Sequence, residues 1–166
     1  MGELVERVDD RDRVLGVVDR GDAVRHDWLH RVASTVCRDQ EGRLLVHQRS
    51  ALVARFPGQY EVMVGGAVGV GESYQQAAVR ELKEELGVQA SVRFLFSFLN
   101  RNGLSPHWLG VHEAVVPAVV EPDPREVSWH EWLSETELRQ AMLQWTFTPD
   151  TCEVLDRYLV SPDRWV

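Results

Sequence analysis

Glu81, Glu84 and Glu85 stand at spacings that a helix gathers into an arc of about 100° on one face. Like charges that close repel, and the i,i+4 pair Glu81/Glu85 alone costs about 0.2–0.5 kcal/mol. A helix that only needs solvation alternates Glu with Lys. A divalent cation offsets the repulsion, and hard carboxylate oxygens select Mg²⁺, Mn²⁺ or Ca²⁺ over Zn²⁺. Displacement at phosphorus suits such a site, because it needs neutralised oxygens and an in-line nucleophile more than covalent catalysis. By itself an E-x-x-E-E run is more often a solvated acidic face, since Glu is a good helix former.

The preceding residues change that balance. Gly66, five residues, Glu72, seven residues, then Arg80-Glu81-Leu82-Lys83-Glu84-Glu85-Leu86-Gly87-Val88 give seven fixed identities and two aliphatic positions. At roughly one in fifteen per identity, chance agreement is far below one in a million per window. Residues 66–88 resemble the Nudix box, G-x5-E-x7-R-E-U-x-E-E-x-G-U, with every fixed position kept. The resemblance implies an α/β/α sandwich with a mixed sheet, and a pyrophosphohydrolase acting on a small phosphorylated substrate. Its cofactor would be Mg²⁺, with Mn²⁺ as a substitute. Glu81, Glu84 and Glu85 would hold the metal with a backbone carbonyl of Gly66 or its neighbour Gly65. Arg80 would orient the glutamates by ion pairing, and Glu72 would fix the loop against the helix. A water deprotonated by a carboxylate would attack one phosphorus; Glu84, Glu113 and Glu126 are the candidate bases, in that order.

Outside the box, Val8-Asp9, Val14-Leu15-Gly16, His30-Arg31, Leu44 to Ser50 and Phe56-Pro57-Gly58 resemble the isopentenyl-diphosphate-isomerase-like branch of the family. Double-bond isomerisation is therefore a second reading. The isomerase motif has Cys-Gly-His where this chain has Gly65-Gly66-Ala67, so the nucleophile and one metal-binding His are absent. Isomerase metal ligands in a later strand would fall around Trp108–Gly110, where none stand. His30 and His26, which correspond to isomerase histidines, are assigned instead to packing or hydrogen bonding near the pocket. A non-catalytic ligand-sensing module is a third reading, disfavoured by the intact box.

Arg49 and Arg55 flank the Phe56-Pro57-Gly58-Gln59 turn and are candidate phosphate contacts, because guanidinium forks match phosphate oxygens. Phe56, Tyr60, Trp108 and Phe147 could stack a base, although core packing suits most of them better. Trp129 and Trp132 are assigned to the core.

These groups need a frame. Residues 3–8 and 14–18 flank the charged turn Asp9–Arg13 as a hairpin, a candidate dimer element as well as one that completes its own sheet. Asp19–Asp27 reads as a polar connection. Val32–Cys37 and Leu44–His47 flank a Gly42 loop, and Tyr60–Val64 is a short strand. Glycines 65, 66, 69 and 71 predict a loop that bends or approaches something closely. Ser73 with Gln76 makes a capping box for the glutamate helix, and Gly87 suits its left-handed stop. Ser91–Leu99, Trp108–Val116 and Glu126–Trp129 read as strands. Ser134 with Glu137, and Thr148-Pro149, open two last helices.

The chain reads as one domain over residues 1–166, with an N-terminal hairpin extension at 1–30 and C-terminal helices at 134–160. Its 166 residues, 44% hydrophobic, suffice for a core without staples. A formal charge of −8 argues against a nucleic-acid polymer as partner. No apolar run approaches the ~20 residues of a membrane helix. Two cysteines, Cys37 and Cys152, form no framework, and a cytoplasmic protein is expected.

Overall fold

The computed structural model describes residues 2–162 and 164. The hairpin is present: β1 (Leu4–Val8) pairs antiparallel with β2 (Val14–Asp19). It is tied down by side chains. The Trp108 indole donates to the Asp9 carbonyl at 3.0 Å, and Asp12 accepts from Arg31 Nε at 2.7 Å and from the Tyr74 hydroxyl at 2.8 Å.

The predicted polar connection contains a helix, α1 (Arg20–Arg25), capped by the Asp19 side chain on the Asp22 amide. At six residues it is too short to show a periodic apolar face, which is why the composition hid it. The described residues thus hold four helices rather than three.

A seven-stranded mixed sheet forms the middle layer. It contains β3 (Arg31–Arg38), β4 (Leu44–Arg49), β5 (Tyr60–Glu61), β6 (Met63–Ala67), β7 (Arg93–Asn100), β8 (His107–Val115) and β9 (Val127–Leu133). β3 runs parallel to β8 and antiparallel to β6, and β7 is antiparallel to β8. β3 and β4 pair only at Arg38↔Leu44 before each takes its own partners, β6 for β3, and β9 and β5 for β4. The sheet therefore forks between β3 and β4.

Strand alternation sorts the β3 side chains. Val32 and Val36 face the cluster of α3 (Glu135–Ala141) and α4 (Pro149–Tyr158), while Ala33 and Cys37 face α2 (Tyr74–Leu86). Val154, Leu155 and Tyr158 of α4, spaced to share one helix face, are fully buried on that first side. With α2 on one face and α3 and α4 on the other, the layering is the expected α/β/α. Trp132 is buried and Trp129 packs on the α4-side core.

The predicted strand at Tyr60–Val64 is two strands, and the second runs on through glycines read as loop: Gly65 pairs with Ser34 and Gly66 with Ala33. Close approach, not bending, requires these glycines. A methyl group on Gly65 would sit 2.0 Å from the Ala33 carbonyl oxygen, and one on Gly66 would sit 2.5 Å from Glu81 Oε1.

Candidate active site

The glutamate helix begins as its sequence dictates. The Ser73 hydroxyl accepts from the Gln76 amide at 3.1 Å, and Gln76 Oε1 accepts from the Ser73 amide at 2.9 Å. Gly87 closes the helix at φ 68°, a conformation that costs glycine nothing. Leu82, Leu86, Ala77 and Ala78 are buried, so the helix cannot rotate, and Glu81, Glu84 and Glu85 are held toward the sheet fork.

There they line a cleft of about 380 Å³, within the size range of small-molecule sites. Gly65, Arg49 and Glu126 line it as well. Arg80 stands behind the glutamates as a five-donor clamp. It donates to both Glu72 oxygens at 2.7 and 2.9 Å, to Glu81 at 2.7 Å, to Glu84 at 3.4 Å and to the Ala67 carbonyl at 3.0 Å. Glu72 also accepts from the Gly69 amide at 2.7 Å, tying the loop to the helix. The Arg80 bonds hold the Glu72 carboxyl below the usual carboxylate range.

The remaining carboxylates are not so compensated. Burial raises the Glu81 pKa, and Glu84 adds to the rise against the pull of Arg80. Glu85 is open to solvent but faces the concavity, whose walls thin its water. That crowding, with the charges of Glu81, Glu61 and Glu126, pushes its pKa up to about 8. Glu61, which sequence reasoning missed, lines the cleft from β5. Burial raises its pKa, but His47 Nε2 at 2.9 Å and Arg49 at 3.2 Å outweigh that and leave it below the ordinary value. His47, His130, Asp123 and Asp150 were likewise missed. They converge from β4, β9, a loop and α4, and no local pattern marks such a meeting.

A divalent cation fits this wall. Among the described residues no three acidic, His or Cys side chains are gathered as a ready-made metal site. Mg²⁺ prefers oxygen ligands and keeps several waters and substrate phosphates in its shell, so an open carboxylate wall suits it. The cradle at Gly66 lets the Glu81 carboxylate lie against bare backbone, and the Arg80 hydrogen bonds reach Glu81 and Glu84 but not Glu85.

Other candidates lie elsewhere. Glu113 does not line the cleft. It is buried on the α4 side, where it accepts from the Tyr158 hydroxyl and from Arg93 at 3.0 Å, with Arg38 at 3.6 Å. Arg55 is exposed outside the cleft lining, and its carbonyl accepts from Arg49 Nε at 2.9 Å. None of the four aromatic candidates lines the cleft. Tyr60 stacks on Trp145 at 4.5 Å beside Phe147, and Trp108 serves the hairpin. His26 is exposed and stacks on Trp28, while His30 is buried beside His107. Burial, then the His107 charge, push the His30 pKa down to about 4.

Residues 28–157 match the model of the NUDIX domain. An uncharacterized Nudix hydrolase of Streptomyces coelicolor is 44% identical over 89% of this chain and 83% of its own. A relative from Nocardia farcinica named isopentenyl-diphosphate Delta-isomerase is 34% identical over 92% of each chain. A crystal structure from Deinococcus radiodurans superposes with a TM-score of 0.78 at 33% identity, covering 93% of this chain and 98% of that one. No described helix is long and apolar enough to cross a membrane. The domain match, the relatives' identities and the box-bearing cleft place the chain in the Nudix family, as a hydrolase of pyrophosphate linkages.

Proposed function

We propose that the chain hydrolyses a diphosphate linkage in a nucleoside di- or triphosphate, or in another nucleoside-diphosphate derivative, with Mg²⁺ as cofactor and Mn²⁺ as a substitute. One observation carries this reading: Glu81, Glu84 and Glu85 share a cleft wall while Arg80, buttressed by Glu72, holds two of them from behind. These three glutamates, with a carbonyl of the Gly65–Gly66 segment, are the residues that would hold the cation. When bound it supplies charge to neutralise phosphate oxygens and to acidify the attacking water.

The protein's own groups do the rest. Glu84 or Glu126, both on the cleft, takes the proton from the water as it attacks one phosphorus and the other phosphate leaves. Glu113 drops out of this role, because its oxygens are engaged by Tyr158 and Arg93 away from the cleft. Arg49 donates to the phosphates from a guanidinium fixed by Glu61 and the Arg55 carbonyl. Arg55 is near enough to feel the Arg49 charge and would meet only the outer part of a substrate. The cysteines Cys37 and Cys152 are both free thiols, which suits a cytoplasmic setting.

A panel of nucleoside diphosphate derivatives with Mg²⁺, read by phosphate and pyrophosphate release, tests the reading. Release from at least one member, abolished by EDTA, is the expected result. No turnover of any diphosphate would sink it, and conversion of isopentenyl diphosphate to its isomer would replace it with the chemistry named for the Nocardia relative.

A further inference from the structure

We propose that Asp150 selects the organic group attached to the diphosphate, admitting groups that carry hydroxyl or amine donors, as a nucleoside does, and rejecting hydrocarbon ones. The proposal deepens the diphosphate reading of the same cleft and rests on it.

The cleft has two ends chemically. From one face of the sheet α2 brings Glu81, Glu84 and Glu85, and from the other face α4 brings Asp150 at its second residue, behind Pro149. The floor between them includes Val32, Met63 and Leu109, which would receive a nucleoside or a prenyl chain equally well. Asp150 breaks that indifference.

Its carboxylate is held in place. Oδ1 accepts from the buried Asn100 amide at 2.8 Å and packs on Gly103, where a methyl group would come within 2.7 Å. His107 Nε2 lies 3.7 Å from Oδ2, beyond hydrogen-bond reach, and is itself buried without a partner. The side chain stays one-third exposed and Asp150 lines the cleft, so its carboxylate keeps acceptor capacity for a bound group. A phosphate is repelled there by the Asp150 carboxylate. That leaves the phosphates to Arg49 and the cation-binding wall, and the organic group to Asp150. A hydroxyl or amine replaces the water it displaces from the carboxylate. A hydrocarbon chain strips that water and returns nothing.

Calorimetric titration with ADP and with isopentenyl diphosphate decides the matter, using Ca²⁺ in place of Mg²⁺ to hold hydrolysis back. The wild type is expected to bind ADP at least ~10-fold tighter than isopentenyl diphosphate, the scale of one charged hydrogen bond. Asp150→Leu should pull that ratio below about threefold, and Asp150→Asn, which keeps shape and one acceptor, should fall between. Dideoxy-ADP separates the donors: a matching loss of affinity assigns the ribose hydroxyls, and no loss assigns the base amine. Equal affinities in the wild type, or a ratio that Asp150→Leu leaves unchanged, would overturn the proposal. If circular dichroism shows the Leu variant unfolded, the Asn variant decides, and an unmoved ratio overturns it equally. Binding is read without turnover, so a failure of the hydrolysis reading would show in the panel above and not in this ratio.

Discussion

Glu113 on β8 is 3% exposed, yet it has the Tyr158 hydroxyl, Arg93 and Arg38 around it. Glu85 on α2 is open to solvent, yet the charges that bear on it are those of Glu81, Glu61 and Glu126. Depth does not separate the two carboxylates here. Compensation does: the buried glutamate is satisfied by the protein, and the exposed one is surrounded by charges of its own sign. Arg80 sharpens the contrast, because its donors go to Glu72, Glu81, Glu84 and Ala67 and not to Glu85.

The largest expected effect comes from breaking the satisfied site. Glu113→Leu leaves the buried Arg38 guanidinium with only the more distant Glu135 carboxylate at 4.0 Å, and removing one partner of a buried ion pair costs about 3–5 kcal/mol. Urea denaturation should show that loss, while turnover per folded molecule stays unchanged. A rate that falls with stability intact would return Glu113 to the list of candidate bases.

Glu85→Gln should do the reverse. Turnover is expected to fall by about 100-fold or more, the cost of losing one preorganised electrostatic contact to a transition state. Folding should hold or improve, since Glu85 no longer has to take up a proton on folding. A rate within about threefold of wild type would mean that the cation does not need this carboxylate.

How much of this was legible beforehand follows from which links are local. The Ser73 cap, the Gly87 stop and the Glu81–Glu84–Glu85 arc are written within fifteen residues, and the structure reproduces them. Arg80 to Glu72 is also local, carried by the box spacing. The parallel pairing of β3 with β8 joins residues more than seventy positions apart, and no periodicity announces it. That pairing turned Glu113 toward Tyr158, so a glutamate expected near the cleft became part of the core. Glu61 and Asp150 reached the cleft by the same long-range route, from strand and helix segments whose local patterns said only strand and cap. Gly65 and Gly66 misled for a different reason. Glycine marks both a bend and a close approach, and only the partner strand shows which.

The smallest expected effect tests the comparison most directly, because it separates charge from shape. The Glu85 pKa is raised from 4.5 to about 8, so the metal-free folded chain keeps a proton that the unfolded chain has released. Across that window the unfolded state binds fewer protons, and stability therefore falls as pH rises from 4.5 to 8. The slope should be shallow, since solvent at the open carboxylate screens its neighbours. On the proposed metal site Mg²⁺ would take the place of the proton, so its stabilisation should be slight near the bottom of the window and grow toward the top. Thermal midpoints across the window, in EDTA and in excess Mg²⁺, are expected to diverge with rising pH, and Glu85→Gln should flatten the EDTA curve. If wild type and Glu85→Gln fall in parallel in EDTA, Glu85 is compensated by cations within the protein as Glu113 is, and the distinction between the two sites fails.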